Sequence, residues 1–505
     1  MKKLVLLFIG VISMPFVNAQ GISDAVRYSS DEIMGTARFR ALSGAFGALG
    51  GDMSAVSLNP AGSAVFNYSN TSLSISNMDI ENETSYFNGV TTNSESNFDF
   101  VQAGAAFVFN NRNGNSPWRK FVLGFTYDQT GNYDDSFLAS GTGNNSIGQF
   151  FLANAQGLRL DEISAFSGES IDDAYNDIGA VFGYVNQQAF LGYESYILEP
   201  DTDNDDNTIY TSNIASGTFA QDYSYVTTGY KGKFGINVAA QYEDNLYIGL
   251  NLNSHFINYN RSTFLSETNA NVGSLVTEVG FENNLSTTGN GFSFQLGAIS
   301  KVTEDFRIGI TYDSPTWYTI TDETTQYIEA LRDESGTPTW AVINPQVVNI
   351  FPDYKLQTPA KLTGSAALIL NKKGFISFDY SRKDYSKTKF TPENDSYFVA
   401  KNNIIANNLK AANTYRLGAE IRQDKLSLRG GYKFEESPYQ DTSFYGDLKG
   451  FSLGIGYNFG GAKLDIAYEN SQRTINHQLY EVGLTDTAQI DTNTSNLTLT
   501  LSMSL

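Results

Sequence analysis

From about residue 67 to its end the chain alternates apolar residues with small or polar ones, in segments of roughly ten, the length of a strand tilted across a bilayer. In "FSLGIGYNF", Phe451, Leu453, Ile455, Tyr457 and Phe459 fall on one face, and Ser452, Gly454, Gly456 and Asn458 on the other. The final segment sets Leu497, Leu499, Leu501, Met503 and Leu505 against Thr498, Thr500, Ser502 and Ser504. Phe121, Leu123, Phe125 and Tyr127 form another apolar row, as do Leu246, Ile248, Leu250 and Leu252. The opposite rows carry charge in mid-strand: Arg429 and Lys433, Arg416 and Glu420, Asp465 and Glu469. A soluble sandwich alternates too, because one face of each sheet is buried. Charges in the middle of the polar row suit a wet bore better than a solvent-facing sheet.

Fourteen such segments can be placed, at about 67–78, 98–109, 119–130, 223–242, 246–260, 277–301, 306–320, 358–370, 374–387, 409–422, 425–435, 448–459, 463–474 and 491–505. Short connections such as Glu243-Asp244-Asn245 and Gly460-Gly461-Ala462 alternate with longer acidic ones. Glycine and asparagine accept positive φ, and aspartate bonds its own backbone, so these are turns with a mechanism. An even number of antiparallel strands, with turns at one end and loops at the other, predicts an all-β fold: a 14-stranded antiparallel transmembrane β-barrel over 67–505, skinned by outer-membrane lipid.

The longest loop, 131–222, holds two stretches of helical character, Ser146–Leu158 and Ser170–Gly192. Phe150, Phe151, Ile171, Tyr175, Ile178, Phe182, Val185 and Phe190 supply their apolar residues, the second stretch at helical spacing. Such a face is either an open groove for an apolar ligand or the contact between the two helices and the barrel rim. Further along, Asp201, Asp203 and Asp205 have the alternate spacing of a calcium loop. Asp206 stands where such a loop needs glycine and Ser212 where it needs glutamate, so a solvated acidic run competes with the ion site.

Composition narrows the function. Residues 1–19 read as a secretory leader, with Lys2 and Lys3, an apolar run Leu4 to Ile12, and a small-residue end at Val17-Asn18-Ala19. The net charge of −21 argues against nucleic acid, whose binding relies on basic surface. There is no cysteine, and two histidines leave little for a histidine-held metal or haem. Neither histidine sits in a recognisable catalytic motif, so no enzyme is expected, and no cofactor beyond a structural calcium. The expected form is a monomer.

One stretch breaks the strand pattern. Residues 20–66 are rich in Gly, Ala and Ser and lie between leader and first strand. Fourteen strands enclose a bore wider than wall side chains can fill, since about eight already leave room for little else. A compact segment of small residues can stopper it, and Pro60 gives a rigid corner where it meets the wall.

The stretch "SSDEIMGTARFRALSGAFGALGGDMSAVSLNPAGSAVF" resembles the N-terminal hatch of the FadL/TodX outer-membrane transporters of long-chain fatty acids and hydrocarbons, in their Bacteroidetes-type form. The family's glycine-phenylalanine element corresponds to Gly44, Phe46 and Gly47, and its Asn-Pro-Ala motif to Asn59, Pro60 and Ala61. The resemblance implies passive uptake of a hydrophobic small molecule across a Gram-negative outer membrane. The cargo would lodge in an outer groove, pass to an elongated apolar cavity behind the hatch, and leave when the hatch moves. One exit would be sideways beside a kinked third strand, here about Arg119 to Thr130, where Gly124 is the only glycine. Two alternatives stay open: a barrel that serves as a binding or assembly component of an envelope complex, and haem uptake.

Overall fold

The computed structural model describes residues 21–505 except 114, 335 and 372; the expected leader lies outside the described residues. The wall is a closed antiparallel sheet of fourteen strands. They are β1 Asn70–Tyr86, β2 Gly89–Asn110, β3 Trp118–Asn132, β4 Phe219–Tyr242, β5 Leu246–Thr268, β6 Val276–Lys301, β7 Phe306–Asp313, β8 Lys361–Leu370, β9 Gly374–Asp384, β10 Ala411–Gln423, β11 Leu426–Glu435, β12 Leu448–Asn458, β13 Ala462–Gln478 and β14 Thr487–Ser504. Above β7 the chain continues as Trp317–Glu334, still paired with β6. Closure comes from β1 pairing with β14, from Asn70 opposite Ser504 to Ser85 opposite Gln489. No helix among the described residues is long and apolar enough to cross a membrane. The strands do the crossing.

Alternation sets which face meets lipid. On β14, Leu497, Leu499, Leu501 and Met503 are exposed on the outside, while Thr498 and Thr500 are buried within. On β12, Phe451, Leu453, Ile455 and Tyr457 point out and Ser452 points in. Closure leaves no backbone N–H or C=O of the ladder facing hydrocarbon, where each unpaired group would cost several kcal/mol.

Several strands run longer than the apolar pattern indicates. Residues 79–97, expected as a loop, form the upper halves of β1 and β2, paired up to Tyr86 and Gly89. Phe87 and Asn88 make the turn, Phe87 with φ 49°. The outward residues there are Asp79, Glu81 and Glu83 on β1 and Thr92, Ser94 and Ser96 on β2. This part stands above the membrane, where water replaces lipid, so its outer row has no reason to be apolar.

Loop 131–222 is also partly strand. Asp135–Gly143 pairs with the upper part of β4, so the true loop begins beyond Gly143. It carries helices Gly148–Ala155, Ile171–Val181 and Tyr184–Glu194. The second expected helix is thus two, broken at Gly183, whose φ of 96° ends a helix at low cost.

Lipid contact gives a position-dependent test. Leu499→Arg, on the outward row at membrane depth, should destabilise the barrel by about 2–4 kcal/mol. Gln489→Arg, outward on the same strand but above the membrane, should cost close to nothing. Denaturant unfolding from lipid vesicles measures both.

A hatch held in the bore by polar contacts

The chain from Gly21 to Phe66 sits inside the barrel as short helices: α1 Ile22–Ser29, α2 Ala37–Arg40, α3 Met53–Leu58 and a 3-10 turn Pro60–Val65. Thr36 caps α2 through the Phe39 N–H, and Asp52 caps α3 through the Ser54 N–H. Gly50 and Gly51 join the pieces with φ of 63° and 69°, a backbone that L side chains rarely adopt. Small residues let the helices lie against the wall.

The quoted motifs make the wall contacts. Asn59 caps the 3-10 turn through the Ala61 N–H at 3.1 Å. Its amide donates to the Gly47 carbonyl at 2.7 Å and to the Ala298 carbonyl of β6 at 3.2 Å. The Pro60 carbonyl accepts from Asn237 of β4 at 3.0 Å. Wall glycines make this approach possible: a Cβ on Gly249 would stand 2.3 Å from the Pro60 carbonyl carbon, and one on Gly297 2.0 Å from the Asn59 Oδ1. Phe46 is fully buried beneath the Arg38 guanidinium, 5.0 Å from its ring centre. Phe46 and Gly47 both donate their N–H to Asp379 of β9 at 2.9 Å. Gly44, with φ 75°, turns the chain after α2.

Two of the charges expected to line a wet bore, Glu420 and Glu469, instead grip the hatch. Arg38 pairs with Glu420 at 3.0 Å, and Glu420 also takes Arg429 at 2.6 Å. Arg40 pairs with Glu469 at 3.1 Å, and Glu469 takes Lys433 as well. Both of these carboxylates are shared between wall cations and a hatch arginine, Glu420 taking Arg422 as well. The sequence showed the wall charges but not their partners, because Arg38 and Arg40 look like ordinary surface arginines in a short basic helix.

Above the hatch core lies a cavity of about 120 Å³, well under the roughly 300–1,000 Å³ of small-molecule pockets. It is also polar, contrary to the elongated apolar cavity that transport led us to expect: Asp31, Glu32, Asp128, Lys233, Lys361 and Lys383 are among its lining. Tyr28 and Tyr318 at its edge belong to an apolar cluster. There Tyr28 on α1 packs among Tyr133, Tyr259, Tyr318 and Tyr354, and Arg27 lies 4.2 Å from the centre of the Tyr259 ring.

The β2–β3 ladder ends at Gln102 opposite Asp128. Beyond it β3 shifts register against β4 between Gln129 and Gly131, and its continuation turns inward behind the β1–β2 hairpin. Side-chain bonds replace the ladder at the seam: Asn132 donates to Asp99 at 2.6 Å, Ser136 donates to Glu95 at 2.8 Å, and Thr91 donates to the Leu138 carbonyl. Gly124 is not at this break. It sits in regular register between Ala106 and Asn237. Gly124 clears Asn237, 3.1 Å from a Cβ built on it, whereas the glycine at the break is Gly131.

The expected outer groove is not open. Phe150, Phe151, Tyr175, Ile178 and Phe190 are buried in one cluster that joins the loop helices to the strand tips through Phe281 and Ile328. Ile171 packs on its edge. Only Phe182 and Val185 are exposed, at the break between the helices. An apolar stripe on two linked helices was covered by the nearest apolar surface, the barrel rim. Asp201, Asp203 and Asp205 lie on an exposed turn pinned by Asn207, and among the described residues no three acidic or histidine side chains converge to hold a metal.

The shared contacts predict the effect of breaking them. Asn59→Ala leaves the Ala61 N–H and the Gly47 carbonyl unpaired, at about 1–3 kcal/mol each. The hatch should loosen, seen as raised ion conductance of the protein in planar bilayers. Glu469→Ala strands Arg40 and Lys433 and should destabilise by about 3–5 kcal/mol.

Comparison with known proteins agrees with this architecture. The family model described as outer membrane protein transport protein (OMPP1/FadL/TodX) matches residues 204–504. Among solved structures, a FadL homologue from Pseudomonas aeruginosa superposes with a TM-score of 0.54 at 11% identity, covering 94% of this chain and 99% of that one. The P. putida toluene transporter TodX gives 0.52 at 12% identity, with 94% and 99% covered. No curated protein matches by sequence. The chain belongs to the OMPP1/FadL/TodX family of transport proteins of the Gram-negative outer membrane.

Proposed function

We propose that this protein carries hydrophobic small molecules, long-chain fatty acids or other hydrocarbons, passively across the outer membrane. The observation that carries the reading is a bore closed by its own N-terminal segment, next to a wall seam that has lost its backbone ladder. A hatch fastened by side-chain contacts can shift without unfolding the wall. Cargo would pass the buried aromatic cluster around Tyr28, Tyr259 and Tyr318, and leave through the β2–β3 seam into the bilayer. That route spares an apolar molecule the polar outer leaflet. A neighbour in structure named as a toluene transporter points to the same cargo class.

The small charged cavity favours a second reading, in which the barrel is a binding or assembly component of an envelope complex. One experiment separates the two. Cells carrying the protein should take up a fluorescent long-chain fatty acid several-fold faster than cells without it, and Asp379→Ala, which frees the Phe46 and Gly47 N–H groups, should change that rate. Equal uptake with and without the protein would sink the transport reading and leave the assembly role.

A further inference from the structure

We propose that the strand Thr337–Ile343, at the loop end of the barrel, is a docking edge for an extended cationic segment of another protein. That segment would pair with the edge as an added strand and place an arginine or lysine in the cavity beside it. The surface lies outside the bore and is independent of what the barrel carries.

Thr337–Ile343 doubles back on the segment Trp317–Glu334 and pairs with it from Glu334 opposite Thr337 to Ile328 opposite Ile343. Among the described residues no strand pairs with its other side. Glu334 and Thr337 close a tight hairpin turn, so the bonds across the hairpin fall at Thr337, Thr339, Ala341 and Ile343. The N–H and C=O groups of Trp340 and Val342 therefore point to the open side. Pro338 points the same way but has no N–H, which confines the donors of this edge to Trp340 and Val342.

Open edges are usually blunted by charge. This one is apolar. Trp340 and Val342 are 48% and 53% exposed, and Val348 and Ile350, where the chain rejoins the sheet, are 51% and 67% exposed. The upper hairpin of β1 and β2 carries Asp79, Glu81 and Glu83 on its outer row, so height above the membrane does not account for the apolar residues here.

Next to the edge the sheet is interrupted. Pairing stops at Ile343 and resumes at Asn349, opposite Thr324. The gap holds a cavity of about 320 Å³, large enough for a small ligand or a long side chain. Glu282, Thr325, Gln326, Tyr327, Asn344 and Gln346 give it a polar lining without a cation. Glu282 accepts from Asn284 at 2.6 Å, and among the described residues no Lys or Arg pairs with it. Glu278, Glu323 and Glu329 extend the same outward row, and residues 278–286 and 323–331 include no Lys, Arg or His.

These features together select the occupant. Free N–H and C=O groups call for a main chain, Trp340 and Val342 for apolar side chains at alternate positions, and the unpaired carboxylate for a cation. A sugar would use the cavity and leave the edge open. A second copy of this chain could pair along the edge, but it carries the same glutamates and a net charge of −21.

The probe is a fluorescein-labelled peptide of alternating arginine and valine, added to the full-length barrel in an uncharged polyoxyethylene detergent and followed by anisotropy. It should bind about tenfold more tightly than a peptide of alternating glutamate and valine, and than the same arginine peptide with N-methylated valines, which cannot pair as a strand. Val342→Pro removes an open-side N–H without touching the bonds across the hairpin, and Glu282→Gln removes the charge of the cavity. Each should weaken binding about fivefold. Heat-dependent gel mobility checks folding, and Trp340→Pro replaces Val342→Pro if that variant fails it. Equal binding of the N-methylated peptide, or no effect of either proline variant, would overturn strand addition. Equal binding of the glutamate peptide would overturn the cationic assignment. Displacement of the probe by maltoheptaose would make the cavity a sugar site, and a dimer in sedimentation that Val342→Pro dissolves would give the edge to a second copy; either result ends the proposal.

Discussion

The controlling constraint is that a bilayer offers no hydrogen-bond partner to a peptide group. A sheet that crosses it must close on itself, and here β1 and β14 close it through a continuous run from Asn70–Ser504 to Ser85–Gln489. Closure by fourteen strands fixes a bore that side chains cannot fill. The plug is a consequence of the circumference. It also explains the chemistry of the inner wall, which must satisfy the plug's own backbone: Asp379, Asn237, Asn251 and Gln295 all bond hatch main chain.

Wall and hatch are therefore built on different kinds of contact. The wall is held by a cooperative ladder of backbone bonds, none of which can be spared without exposing another. The hatch is held by separate side-chain bonds and buried ion pairs. A buried pair adds little net stability over an apolar contact, yet breaking it on one side is costly. Such pairs fix one seating of the hatch without filling the bore with interlocked apolar side chains. Small residues at the contact, Ala41 against Gly454 for instance, reduce the interlocking further.

The barrel was readable because alternation at membrane depth is imposed by lipid on one side and the bore on the other. Where lipid ends, the signal fades, which is why Asp79–Asn97 looked like a loop although it is a paired hairpin. The Asn59–Ala61 motif was visible for a local reason: asparagine followed by proline makes a cap and a corner within a few residues. Asp31 and the lysines around it, Lys231, Lys361 and Lys383, were not visible. They lie some two hundred to three hundred and fifty positions apart in sequence, and lysines on an inward row carry no mark of what they face. The loop stripe was seen but its cover was not, since periodicity says that a face is buried and is silent on which surface buries it.

The seam shows how these levels meet. β3 parts from β2 after Asp128 while staying paired with β4, so the backbone groups of Thr130 and Asn132 on the open side need partners other than β2. In an intact wall they would be wall-bonded and indifferent to the hatch. Here Glu32 bonds both, which turns a missing stretch of ladder into a joint between the hatch and the wall. A barrel can open a side only where the ladder is already interrupted, because elsewhere opening would expose unpaired peptide groups to hydrocarbon. The hatch segment around Glu32 thus spans the interruption and supplies part of the bonding the ladder lacks there.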